Sequence, residues 1–358
     1  MHETKQQQSS IVHKPHFEIL DGLRGVAALA VVVFHFMEIA VPDPANNFIA
    51  HAYLAVDFFF CLSGFVIAYA YDDKMASIGI IGFIKRRLIR LHPLVIIGSV
   101  IGLLTFLYDP FSNLHQTYAD KMWLLFICSI LMIPFPVVKE RYLNLFHLNP
   151  PTWSLFREYV ANFFYAIILV RLPKKVLWVL TVLSAIALVY ESWQSGQLSV
   201  GWAGFNFWGG GIRVSYSFLA GILVYRSRFI IRSRLGFVTT GLLLLPAFLF
   251  PFTKTSSWLA DPLVVIFYFP FMIMLGAGAL THKSTQALCR FSGKISYPLY
   301  MVHYPFMWVF LSYVEAHQPT MRSLAWVIIG GTALLILLAY LVMKYIDDPL
   351  RKWLSREG

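Results

Sequence analysis

The sequence predicts an all-α, polytopic membrane helical bundle of about ten transmembrane helices, with a re-entrant or interfacial element near residues 121–137. Two observations carry this prediction. The chain of 358 residues is 58% hydrophobic and only 13% charged, whereas soluble domains average about 25% charged residues. Apolar stretches long enough to cross a bilayer also recur from end to end. They leave no room for a sizeable soluble domain, so one membrane domain is expected over 15–350, between a polar N-terminal tail, 1–14, and a basic tail, 351–358.

Taken in order, the apolar segments lie near 17–38, 52–71, 88–108, 121–137, 153–171, 175–190, 212–226, 236–252, 259–280, 294–314 and 323–346. The net charge of +11 is concentrated between them. Lys85, Arg86, Arg87 and Arg90, the groups around 171–175, 226–234 and 283–294, and the C-terminal tail are basic and hence expected in the cytoplasm. Residues 39–51 and 191–211 hold no Lys or Arg, and 253–258 and 315–322 hold one each, so these four face outward. An even number of crossings must separate the basic groups at 85–90 and 171–175, yet three segments lie between them. The short segment 121–137, interrupted by Pro134 and Pro136, is the one that does not span. Both termini then fall in the cytoplasm. No signal peptide is expected, because no apolar core with a small-residue cleavage site precedes the first span.

Arg24 and His35 share the first span, eleven positions apart. That is close to three helical turns, so both side chains lie on one face, about 16 Å apart along the axis. Ionisable groups at such depth need a polar interior, a partner or a cavity. An arginine snorkelling to the headgroups and a histidine bonded to a neighbouring helix is the structural alternative. Glu158, in Trp153-Ser154-Leu-Phe-Arg157-Glu158, falls at the depth of His35 and could orient its imidazole; a structural pairing with Arg157 or Arg213 is the alternative. Asp57 opens the second span as a helix cap or an orienting acid. Ser63-Gly64 reads as a helix-packing pair. Lys85, Arg86, Arg87 and Arg90 suit either the positive-inside pattern or a polyanion. Arg213, Tyr300 and His303, and Asp347 at the last span's end, complete the buried polar set; Asp347 could pair with a basic neighbour.

Together these stretches resemble the family-3 membrane acyltransferases, among them O-antigen and exopolysaccharide acetylases. Asp21-Gly-Leu-Arg24 with His35 is similar to that family's opening signature, and Val56-Asp57-Phe-Phe-Phe-Cys-Leu-Ser-Gly-Phe65 to its second motif. Phe83-Ile-Lys-Arg-Arg-Leu-Ile-Arg-Leu-His-Pro93 is similar to the third. Trp153 to Glu158 and Ile295-Ser-Tyr-Pro-Leu-Tyr300-Met-Val-His303 match two more. The family's closing Glu-x-Pro stands here as Asp347-Asp-Pro349.

The resemblance implies an O-acyltransferase of the bacterial inner membrane. It would move an acetyl group from cytoplasmic acetyl-CoA to a hydroxyl of a cell-surface glycan or lipid-linked saccharide such as lipopolysaccharide. His35, Arg24, Glu158 and Asp57 are then the expected catalytic set. Lys85, Arg86, Arg87 and Arg90 would hold the CoA phosphates, and Trp153, Ser154, Arg213, Tyr300 and His303 would meet substrate. Some relatives carry a fused extracytoplasmic hydrolase-like domain; this chain is expected to finish the transfer itself or pass the group on. A secondary transporter of glycan intermediates, with Arg24, His35 and Glu158 as a proton relay, is the competing class, but the halves show no repeat of the Arg24/His35 pattern. No metal is expected from the scattered Cys61, Cys128 and Cys289. No nucleic-acid partner is expected either, since no basic-aromatic platform lies outside the spans.

Overall fold

The computed structural model describes residues 16–356, so the tail at 1–14 and the last two residues lie outside the described residues. Thirteen helices organise the chain: α1 (Glu18–Ala40), α2 (Ala55–Tyr71), α3 (Met75–Leu107), α4 (Met122–Ile130), α5 (Thr152–Ile167), α6 (Lys174–Ser195) and α7 (Phe207–Arg226) come first. Then follow α8 (Phe237–Leu249), α9 (Ser257–Gly278), α10 (Lys283–Val302), α11 (Tyr304–His317), α12 (Met321–Val342) and α13 (Asp348–Arg356). Among the described residues no strand forms, only two isolated bridges.

Seven helical segments are long and apolar enough to cross a membrane. The shorter α5 and α8 and the more polar α10–α11 pair bring the passes to about ten. Between α3 and α5, α4 is a helix of nine residues, about 13 Å long against a hydrocarbon core of about 30 Å. It does not span, in keeping with the parity of the basic loops.

Two expected segments differ from what forms. The span expected at 88–108 is the second half of a helix that begins at Met75, because the basic run at 85–90 continues the helix rather than interrupting it; Gly79, at φ +64°, supplies the bend near its start. The span expected at 294–314 begins at Lys283 and breaks at His303. Pro305 accounts for the break: it cannot donate to the carbonyl of Met301, which instead accepts from Asn149 Nδ2 at 2.9 Å. C-terminal residues 351–356 are helical, within α13.

The centre of the bundle is α1, packed along α10, with α2 packed along α7 beside it. The α2–α7 seam is close enough that a Cβ on Gly64 would lie 2.1 Å from the carbonyl oxygen of Phe218, and one on Gly221 1.9 Å from that of Cys61. Small residues of this kind let membrane helices approach backbone to backbone. Leu20, Leu23, Ala27 and Val31 of α1 are buried in the core this creates. In α9, a π-helical stretch at Val264–Tyr268 follows Pro262, and Tyr216 of α7 donates to the carbonyl of Ile266 there.

Candidate active site

The α1–α10 contact leaves polar space at both ends of the Arg24–His35 stripe. Around Arg24 lies a cavity of about 410 Å³, and around His35 one of about 480 Å³. Val56 and Tyr300 line both. The dividing wall is reinforced by a 2.7 Å hydrogen bond between the hydroxyls of Ser154 and Tyr300.

In the first cavity, Arg24 is held in place by α10: its Nε donates to Ser296 Oγ at 2.9 Å, and a terminal nitrogen donates to the carbonyl of Gly293. Asp21 lies one turn away and bonds His16 Nε2 at 2.6 Å. Arg87 and Arg90 reach the cavity from α3, Arg290 and Lys294 from α10, and Arg351 from α13. With Arg24 these make six cations against two acids, Asp21 and Glu158. A cavity so charged suits a ligand with several phosphates. Lys85 and Arg86, expected beside them, are exposed on the outer face of α3 and do not line the cavity. Lys85 lies on the side of the helix away from Arg87 and Arg90, and Arg86, although one turn before Arg90, lies about 100° round the helix from Arg87.

Glu158 belongs to this cavity and not to His35. Its Oε1 accepts from Arg87 at 2.7 Å and from Ser63 Oγ at 2.7 Å. The expected pairing of Glu158 with His35 is therefore corrected, as is the alternative with Arg157 or Arg213. Arg157 instead lies over the Phe207 ring, 3.9 Å from its centroid. Ser63, read as a packing residue, points into the cavity, while its neighbour Gly64 does the packing.

The second cavity holds the imidazole. Nδ1 of His35 lies 2.5 Å from Oε1 of Glu38, one turn further along α1. The ring of His303 stacks on that of His35 at 5.4 Å and 23°, and Tyr304 meets it edge-on at 4.6 Å. His303 is fully buried, with Nδ1 against the carbonyls of Leu299 and Tyr300 at 3.0 and 2.8 Å. Asp57, the other expected partner of His35, forms an ion pair with Arg213 at 2.6 Å, both essentially without exposure. Arg213 also donates to the carbonyls of Val200 and Tyr53, and its guanidinium lies 5.2 Å from the Trp153 ring. This pair ties α2 to α7 and leaves neither residue free to orient the imidazole. Nearby, Asp261 accepts from Tyr53 at 2.6 Å and from the amide of Leu198, and lies 2.8 Å from His51 Nδ1.

Trp153 and Tyr300 line the His35 cavity, whereas Ser154 faces the Arg24 side. Asp347 pairs with Arg351 at 3.0 Å, one turn along the chain. Among the described residues no group of three or more potential metal ligands forms. Sequence reasoning missed Glu38, Arg290, Lys294 and Arg351. Glu38 was detectable as an i,i+3 neighbour of His35; the other three enter only because α10 and α13 fold against α1 and α3.

The all-helical bundle thus carries a half-buried arginine and a half-buried imidazole on one stripe, each opening on its own cavity. The chain belongs to acyltransferase family 3, whose "Acyltransferase domain" matches residues 17–344. It is 38% identical over 160 residues to "Protein 2 in picA locus" of Rhizobium radiobacter, covering 42% of this chain and 81% of that one. It is 25% identical over 370 aligned positions to proteins of Staphylococcus aureus strains COL and MSSA476, each named "Putative O-acetyltransferase". That match covers 93% of this chain but 57% of the relatives, so the chain spans little more than half their length. No solved structure matches the chain.

Proposed function

We propose that the chain is an O-acyltransferase of the bacterial inner membrane that takes an acetyl group from acetyl-CoA on the cytoplasmic side and places it on a glycan hydroxyl. The observation that carries this reading is the shared wall: a six-cation cavity and an imidazole cavity meet across Val56 and Tyr300. In this reading both termini are cytoplasmic. Arg87, Arg90, Arg290, Lys294 and Arg351 hold the CoA phosphates. Arg24, fixed by Ser296 and Gly293, guides the thioester arm toward Tyr300.

His35 acts as the general base. Glu38 engages Nδ1, which fixes the tautomer that leaves Nε2 as the proton acceptor. Nε2 takes the proton of the acceptor hydroxyl, whose oxygen bonds to the acyl carbon as the carbon–sulfur bond breaks. The products are the acylated hydroxyl and CoA, whose sulfur recovers the proton. Base catalysis of this kind is worth about 10²–10⁴-fold. The test is thiol release from acetyl-CoA by the full chain in nanodiscs, in the presence of glycan. His35→Ala should abolish it while the protein stays folded in the membrane; retained release overturns the assignment.

A further inference from the structure

We infer that the His35 cavity admits an uncharged sugar ring and turns acidic sugars away. The inference rests on the reading of this cavity as the acceptor side. Its walls carry the rings of Tyr53, Tyr142, Trp153, Trp202, Tyr304 and Trp308, and between them Glu38 and Asn144. A pyranose presents apolar C–H faces and a rim of hydroxyls. That combination matches aromatic walls with a few converging polar groups. A hydrocarbon would match the rings but would take from water the Glu38 carboxylate, which His35 engages through Oε1, at a cost.

The charge of the walls selects among sugars. Among the described residues Arg213 is the one arginine or lysine lining the cavity, and all its nitrogens are engaged: Nε and one terminal nitrogen by Asp57, with the carbonyls of Val200 and Tyr53 completing the set. Arg141, behind Trp308, is turned to Trp308's own carbonyl and to Ser312, and is 4% exposed. What remains facing the space is the carboxylate of Glu38. A uronate or phosphate entering here would lose water, meet a like charge and find no free cation. The Arg24 cavity differs in kind: six cations line it, and even with Arg87, Arg290 and Arg351 paired to Glu158, Glu18 and Asp347 they outnumber the acids.

The experiment uses the full chain in nanodiscs and two matched probes, cello-oligosaccharides and their C6-oxidised glucuronan counterparts, titrated against tryptophan fluorescence. The neutral probe should bind at least about tenfold more tightly, a difference of about 1.4 kcal/mol. Equal or tighter binding of the glucuronan overturns the inference, and so does absence of binding by both. Ser199→Arg, which adds a cation to the cavity wall, should narrow the gap by strengthening glucuronan binding; an unchanged gap in a folded variant counts against the charge argument. Thiol release from acetyl-CoA, followed in parallel, separates the two readings. Neutral glycan bound without turnover on any acceptor defeats the transferase reading and leaves the sugar preference standing.

Discussion

Glu38 engages Nδ1 of His35 from one turn along the same helix, at 2.5 Å. Because donor and orienting acid ride on one rigid element, the geometry of the base does not depend on how neighbouring helices settle. Glu38→Gln should therefore lower kcat by about 10²-fold or more while leaving KM for acetyl-CoA near its wild-type value. Steady-state thiol release checks this, and an unchanged kcat would remove Glu38 from the mechanism.

The division of the basic residues gives a second outcome. Arg290→Gln and Arg351→Gln should each raise KM for acetyl-CoA several-fold, with a weakened salt dependence of binding. Lys85→Gln and Arg86→Gln, exposed and outside the cavity, should leave KM unchanged. Equal effects at all four positions would show general attraction rather than a built anion site.

The Asp57–Arg213 pair should behave as a structural unit. Removing one partner strands a buried charge, so Asp57→Ala or Arg213→Ala should each cost about 3–5 kcal/mol of stability. Replacing both with apolar residues of similar volume should recover most of that loss. Thermal unfolding in detergent of the two single variants and the double variant measures the coupling; additive losses would refute it.

His147, in the segment between α4 and α5, supplies a pH dependence. Its ring is wedged between Phe106 and Trp308, neither ring nitrogen has a partner, and burial, aided by the charge of Arg141, pushes its pKa down to about 3. In the unfolded chain the ring titrates near 6.5. Between these values the unfolded state binds the extra proton, so stability is full above about pH 6.5 and falls as the pH drops. At pH 5 the loss is about 2 kcal/mol from this group. His147→Phe should unfold with less sensitivity between pH 7.5 and 5 than wild type, and equal sensitivity would remove His147 as a source.

Much of the fold is legible in the sequence because bilayer thickness and loop charge act on residues locally: apolar length marks the passes, and the parity of basic loops identifies α4 as the element that does not cross. The Arg24–His35 stripe is legible for the same reason, being set by helical rise alone. Glu158 is not. Counting residues from a helix start gives depth but neither tilt nor the direction a side chain faces, and packing of α3 against α5 delivers Glu158 to Arg87 instead of His35. Asp57 is lost to the imidazole because Arg213 comes from a helix more than 150 residues away. No local pattern reports such a partnership.

Asn149 caps the carbonyl that Pro305 leaves open, and it does so from the segment leading into Trp153 and Ser154. The interrupted helix carrying Tyr300, His303 and Tyr304 is therefore fastened to the strand of chain that carries the indole and the hydroxyl facing it. Two bonds, the Asn149 amide to the Met301 carbonyl and the Ser154 hydroxyl to that of Tyr300, thus let a single short segment set where the partition between the two chambers stands.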